Sequence, residues 1–103
     1  MSYSETVAQS RRICILRLLE GQAEYQTNES VLQMALEQFG FAESRDKIRT
    51  DLAWLEEQGV ITTRDVGDKK LMVVAQLTPR GADVAKGRVT VPGIQRPSPD
   101  NAI

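Results

Sequence analysis

A chain of 103 residues with 41% hydrophobic content is long enough for one core and too short for two. Its formal charge of −1, from 13 basic and 14 acidic side chains, argues against a protein that coats nucleic acid indiscriminately. One cysteine and no histidine exclude an internal disulfide and the usual ligands of zinc, and no run approaches the ~18 apolar residues of a membrane-spanning helix.

The amino terminus, MSYSETVAQSRR, lacks the basic-then-apolar order of a secretion signal, so a soluble, cytoplasmic protein is expected. From about Ser4 to Glu20 the run SETVAQSRRICILRLLE is rich in helix formers, and Gly21 supplies a stop. Val7, Ala8, Cys14, Ile15, Leu18 and Leu19 share one side of that helix, with Leu16 at its edge. A stripe this wide suits burial on two sides, in the core and in a dimer contact. Cys14 reads as a small buried apolar group rather than a redox centre.

A polar connector, GQAEYQT, precedes a second helix near NESVLQMALEQF, where Asn28 caps the free amides and Glu29 complements the positive end of the dipole. Val31, Leu32, Ala35, Leu36 and Phe39 are its expected buried side, and Gly40 ends it. A short turn leads to Ser44, the cap of a third helix running to about Gln58 and ended by Gly59. VITTRDV and LMVVAQL then read as strands of a hairpin whose tip, Gly67 to Lys70, is basic. Thr78-Pro79 opens a short last helix, PRGADVAKG, despite its internal Gly81.

Residues 1–87 are thus expected to form one domain. Residues 88–103 contain three prolines and little that could build a core, and are expected to be an extended or disordered tail. The order H-H-H-E-E-H, mainly α with a small β-hairpin, is the layout of a winged helix-turn-helix domain.

The charge distribution directs attention to the third helix. Residues 1–43 carry three basic and six acidic side chains, whereas residues 44–103 carry ten and eight. In SRDKIRTDLAWLEEQGVI, Ile48, Leu52 and Leu55 make a narrow apolar stripe, while Arg49, Asp46 and Thr50 project away, flanked by Arg45 and Lys47. A recognition helix reads base edges chiefly through its amino-terminal half. Arg45 and Arg49 then offer guanidinium forks to guanine or phosphate, Ser44 and Thr50 hydroxyls, and Lys47 a less directional phosphate contact. Arg64, Lys69 and Lys70 on the hairpin would grip the backbone beside the groove.

The competing reading is a solvated face held by Asp46–Arg49 and Lys47–Asp51 ion pairs. Reading DNA with the two leading arginines requires them to be free of carboxylates of their own chain; if they are locked, that reading fails. Trp54 reads as a packing residue beneath the hairpin, and Tyr25 is too isolated for a stacking platform. Glu56 and Glu57 diverge on the helix, no Gly-rich phosphate loop occurs, and Ser10, Ser30 and Ser44 have no histidine to activate them. No enzyme activity, cofactor or metal is expected.

NESVLQMALEQFGF, SRDKIRTDLAWLEEQGVI, LTPRG and VPGIQRP together resemble the small winged-helix proteins of Mu-like bacteriophages and prophages, often labelled ArsR-like transcriptional regulators. The resemblance spans roughly residues 4–97, and RTDLAWLEEQG is its most distinctive part. It implies a phage or prophage origin, residence in the host cytoplasm and a DNA-binding regulatory role. Metal-triggered release is not implied, because the paired cysteines of metal-sensing ArsR repressors are missing from the third helix. The functional expectation is a homodimer binding double-stranded DNA. The alternatives are a module binding a phage or host protein and a DNA-packaging accessory.

Overall fold

The computed structural model describes residues 2–97, the side chain of Lys70 excepted. α1 (Tyr3–Glu20) begins at Ser2, whose hydroxyl accepts the Glu5 amide, and ends at Gly21. A 3-10 turn at Ala23–Tyr25 and the short strand β1 (Gln26–Asn28) lead into α2 (Glu29–Gln38) and α3 (Arg45–Glu57). Both helices start on the caps their sequences offer: Asn28 accepts the Val31 amide at 2.9 Å and Ser44 that of Lys47 at 3.1 Å. β2 (Ile61–Val66) and β3 (Met72–Leu77) form the hairpin, and α4 (Pro79–Ala85) follows Thr78, whose hydroxyl accepts the Gly81 amide at 3.0 Å. The winged helix-turn-helix order is present, with one strand added.

That strand is β1. Gln26, Thr27 and Asn28 pair antiparallel with Gln76, Ala75 and Val74, so the sheet has three strands in the order β1-β3-β2. The sequence reads this stretch as connector because QTN has no apolar alternation. It becomes a strand by pairing with an edge of β3 that would otherwise stay open.

The core joins Ile15, Leu16 and Leu19 of α1, Leu32 and Leu36 of α2, Ile48, Leu52 and Leu55 of α3, and Ile61 and Ala75 of the sheet. Ile13, Cys14, Ile15 and Leu16 are each 3% exposed or less, so this turn of α1 is enclosed all round by its own chain. The width of the α1 stripe is thus accounted for within one chain and does not by itself call for a dimer contact. Val31 and Phe39 are corrected: they are exposed, because of its apolar residues so short a helix as α2 turns only Leu32 and Leu36 fully inward. α4 tolerates Gly81 because a Cβ there would lie 2.0 Å from the Val60 carbonyl oxygen; only glycine lets the two backbones approach so closely.

From Arg88 to Pro97 the chain has no helix or strand, yet Val91 and Ile94 are buried in the core. The Gln95 amide donates to the Gln9 carbonyl at 3.3 Å, and Arg12 Nη1 donates to the Gly93 carbonyl at 2.8 Å. The expectation that little after Gly87 would join the core is thus corrected: three well-spaced apolar residues, Val89, Val91 and Ile94, suffice when α1 is there to receive them. Beyond Pro97 the expected tail lies outside the described residues. Among the described residues no helix is long and apolar enough to cross a membrane.

Candidate nucleic-acid interface

Burial of Ile48, Leu52 and Leu55 turns Arg45, Asp46, Lys47, Arg49 and Thr50 outward, as the periodicity of α3 demands. Asp51 fixes how that helix sits. It is 3% exposed, and both its carboxylate oxygens accept from Arg11 of α1, from Nε and, at 3.0 Å, from Nη2. Glu43 lies 3.7 Å from Nη1 of the same arginine. The Asp51 hydrogen bonds, outweighing burial, raise the pKa of the Arg11 guanidinium. Spacing along one helix had assigned Asp51 to a surface pair with Lys47, but its partner lies 40 residues away on another element.

Arg49 is not free. Its Nε and Nη2 each donate at 2.7 Å to the two oxygens of Glu29, the first residue of α2, whose side chain is wholly buried. Arg45 approaches the same carboxylate at 3.5 Å and donates from Nη2 to Ser30 Oγ at 2.8 Å. This one carboxylate therefore ties the start of α2 to the first turns of α3. The Arg49 bonds hold the Glu29 carboxyl below the usual carboxylate range against the opposing effect of burial. In return Glu29 raises the Arg49 pKa, with Asp46 and Asp65 adding smaller attractions.

The requirement of free leading arginines is therefore not met: DNA reading by Arg45 and Arg49 as unpaired cations fails as stated, and what survives is the fold with whichever donors the pairing leaves outward. The physical reason is the fold: the α2–α3 turn brings the start of α2 against the first turns of α3. Both guanidinium groups nonetheless remain at the surface, with side-chain exposures of 48% for Arg45 and 42% for Arg49. Arg49 keeps both hydrogens of Nη1 and one of Nη2 for another acceptor. Sequence reasoning gave Glu29 only a dipole role. Nothing in the α2 pattern signals that a charged first residue is buried.

The other expected contacts are more loosely arranged. Ser44 is occupied as a cap, and Thr50 Oγ1 donates to the Asp46 carbonyl at 3.1 Å. The Lys47 and Arg64 side chains are exposed and make no hydrogen bond or ion pair among the described residues. Lys69 is exposed at the hairpin tip with φ +63°, and the Lys70 side chain lies outside the described ones. Among the described residues no hydrogen bond or ion pair joins Lys47, Arg64 or Lys69 to the Glu29 cluster.

The hairpin is fixed beside α3 by Glu56, which accepts the Thr63 amide and hydroxyl at 2.9 Å each. Between them runs a cleft of about 190 Å³ lined by Arg49, Leu52, Ala53, Glu56, Thr63 and Val73. Trp54 packs, but against Arg12, whose guanidinium sits 4.2 Å from the ring centroid, and against Gly93, rather than beneath the hairpin as expected. Among the described residues no group of three or more His, Cys, Asp or Glu side chains is placed to hold a metal ion.

No protein-family model matches this chain. The solved structure of AbsC, a MarR family transcriptional regulator from Streptomyces coelicolor, superposes with a TM-score of 0.62 over 73% of this chain at 16% identity, which establishes the shared winged-helix fold. This chain spans 47% of AbsC. An uncharacterized protein of Haemophilus influenzae is 41% identical over 80 residues, 78% of this chain and 76% of that one. The uncharacterized protein gp26 of Escherichia phage Mu is 38% identical over 96 residues, 93% of this chain and 96% of its own length. With identity of that order running through nearly the whole of both sequences, this chain belongs to the family of the phage Mu gp26 protein.

Proposed function

We propose that the protein is a non-enzymatic, cytoplasmic DNA-binding regulator of a phage or prophage, which places α3 in the major groove of double-stranded DNA. One observation carries this reading: the amino-terminal half of α3 presents Arg45, Lys47 and Arg49 outward from a buried apolar stripe, with the hairpin fixed alongside. That is how a winged helix offers its recognition helix. The regulatory role named for AbsC supports it, as does the Mu relationship. Two copies would address major-groove segments about 34 Å apart on a near-palindromic site.

Because Arg49 is paired, the electrostatic part of binding falls to Lys47, Arg64, Lys69, Lys70 and, in part, Arg45. Selection of bound fragments from fragmented genomic DNA, followed by gel retardation across a salt series, tests the reading. Replacing Arg45 by alanine should lower specific affinity by about 1–3 kcal/mol per lost base contact. Replacing Lys69 and Lys70 should flatten the salt dependence, by about one unit of slope per lost phosphate contact. Failure to retain any duplex at low salt would overturn the proposal. A promoter reporter then distinguishes regulation from a packaging role.

A second reading, a module that binds a phage or host protein, is favoured by the apolar residues left outward on α2 and at the wing. Met34 is 59% and Leu71 65% exposed. Salt-resistant binding of a protein partner, with no duplex retained, would put this reading in place of the first.

A further inference from the structure

We propose that Glu29 is a specificity residue, which cancels the charge of Arg49 and fixes its inner edge so that the outer edge reads a guanine by directed hydrogen bonds. The proposal rests on the DNA-binding reading above and deepens it.

The geometry separates the two edges of one guanidinium. Nε and Nη2 face inward, each 2.7 Å from a Glu29 oxygen. Glu29 itself is held in place, since its side chain has no exposure and both its oxygens are engaged by arginines. A guanidinium is planar and rigid, so two fixed contacts on one edge set the direction of the other. The long arginine side chain would otherwise lose its rotamer freedom on binding; here that ordering is already done in the folded protein. The outer Nη1 and Nη2 hydrogens form a pair of donors, and guanine presents a matching pair of acceptors, O6 and N7, in the major groove.

The cancelled charge selects between base and phosphate as the partner. A phosphate contact draws its strength from net charge and counterion release. Glu29 in contact, with weaker attractions from Asp46 and Asp65, offsets most of the charge of Arg49, while Arg45 shares that carboxylate more loosely at 3.5 Å. An uncharged base edge depends on geometry instead, which is what this arginine retains. The arrangement also suits a chain of net charge −1: one arginine contributes to discrimination without strengthening attachment to every duplex.

The test compares wild type with Glu29→Gln and Arg49→Lys on the selected duplex and on random duplex, as a function of salt. Glu29→Gln keeps the side-chain shape and releases the charge of Arg49. It should bind random duplex more tightly, with a salt slope steeper by about one ion, while its preference for the selected site falls by about tenfold. Arg49→Lys keeps the charge and removes the fork, so it should lose the preference for guanine at one position of the site while the salt slope stays unchanged.

If Glu29 were only a clamp within the fold, Glu29→Gln would weaken both duplexes in equal proportion at unchanged slope, and that result overturns the proposal. Should Glu29→Gln not fold, Arg49→Lys decides, and retained guanine preference in that variant overturns it. A wild type that retains no duplex removes the DNA reading itself. A wild type that selects a site while both variants keep its full discrimination removes the roles of Glu29 and Arg49 and leaves the DNA reading standing.

Discussion

Arg11→Met tests how α3 is held. Arg11 and Asp51 are each 3% exposed and share two hydrogen bonds, so methionine would fill much of the volume and leave a carboxylate buried without its partner. Charge-assisted hydrogen bonds contribute about 1.5–3 kcal/mol each, and removing one member of a buried pair costs about 3–5 kcal/mol. The two estimates agree. A domain of this length has roughly 5–15 kcal/mol of stability in total, so the single change should come close to unfolding it.

With an m-value of about 2 kcal/mol/M, the urea midpoint should fall by about 1.5–2.5 M. Far-UV circular dichroism and Trp54 fluorescence give two probes of the same transition, and their coincidence licenses a two-state treatment. The double variant Arg11→Met/Asp51→Leu leaves no unpaired buried charge, since Glu43 is partly exposed, and should recover most of the loss. A single variant costing under about 1 kcal/mol would refute the reasoning, as would a double variant no more stable than the single.

The Glu29 carboxyl has a folded pKa below its ordinary value of 4.5, so below that value the unfolded chain binds more protons and stability falls as pH drops. Urea midpoints measured downward from pH 4.5 should therefore fall more steeply for wild type than for Glu29→Gln, and parallel curves would refute the pairing. Gly93→Ala would place a Cβ 2.8 Å from two Trp54 ring atoms at a φ of +96°, and should destabilise by about 1–3 kcal/mol while shifting Trp54 emission. An unchanged midpoint and spectrum would show that the Gly93 segment does not pack there. Burial pushes the Cys14 thiol up to about 12, so at pH 8 iodoacetamide should label it only as fast as the protein unfolds. Immediate labelling would contradict the enclosure of α1.

What was legible in the sequence was local. Asn28, Ser44 and Thr78 announced three helix starts, because a cap acts on amides two or three residues away. The Ile48, Leu52 and Leu55 stripe oriented α3, because helical periodicity is a property of one segment. β1 was illegible because three polar residues become a strand only against a partner. Val91 and Ile94 were misjudged because a stretch rich in proline and glycine looks unable to pack until the surface that receives it is known.

The same division runs through the candidate interface. Sequence by itself determined that α3 turns Arg45, Asp46, Lys47, Arg49 and Thr50 outward, Asp51 being misplaced, and that the second part of the chain holds the basic excess. Only tertiary structure decided which charges are paired, because an ion pair between elements depends on a distance in space that spacing along the chain does not encode. Asp51 meets Arg11 and Arg49 meets Glu29 across 40 and 20 residues, and neither helix pattern contains its partner. Those two encounters hold α3 in place and determine how much charge it offers.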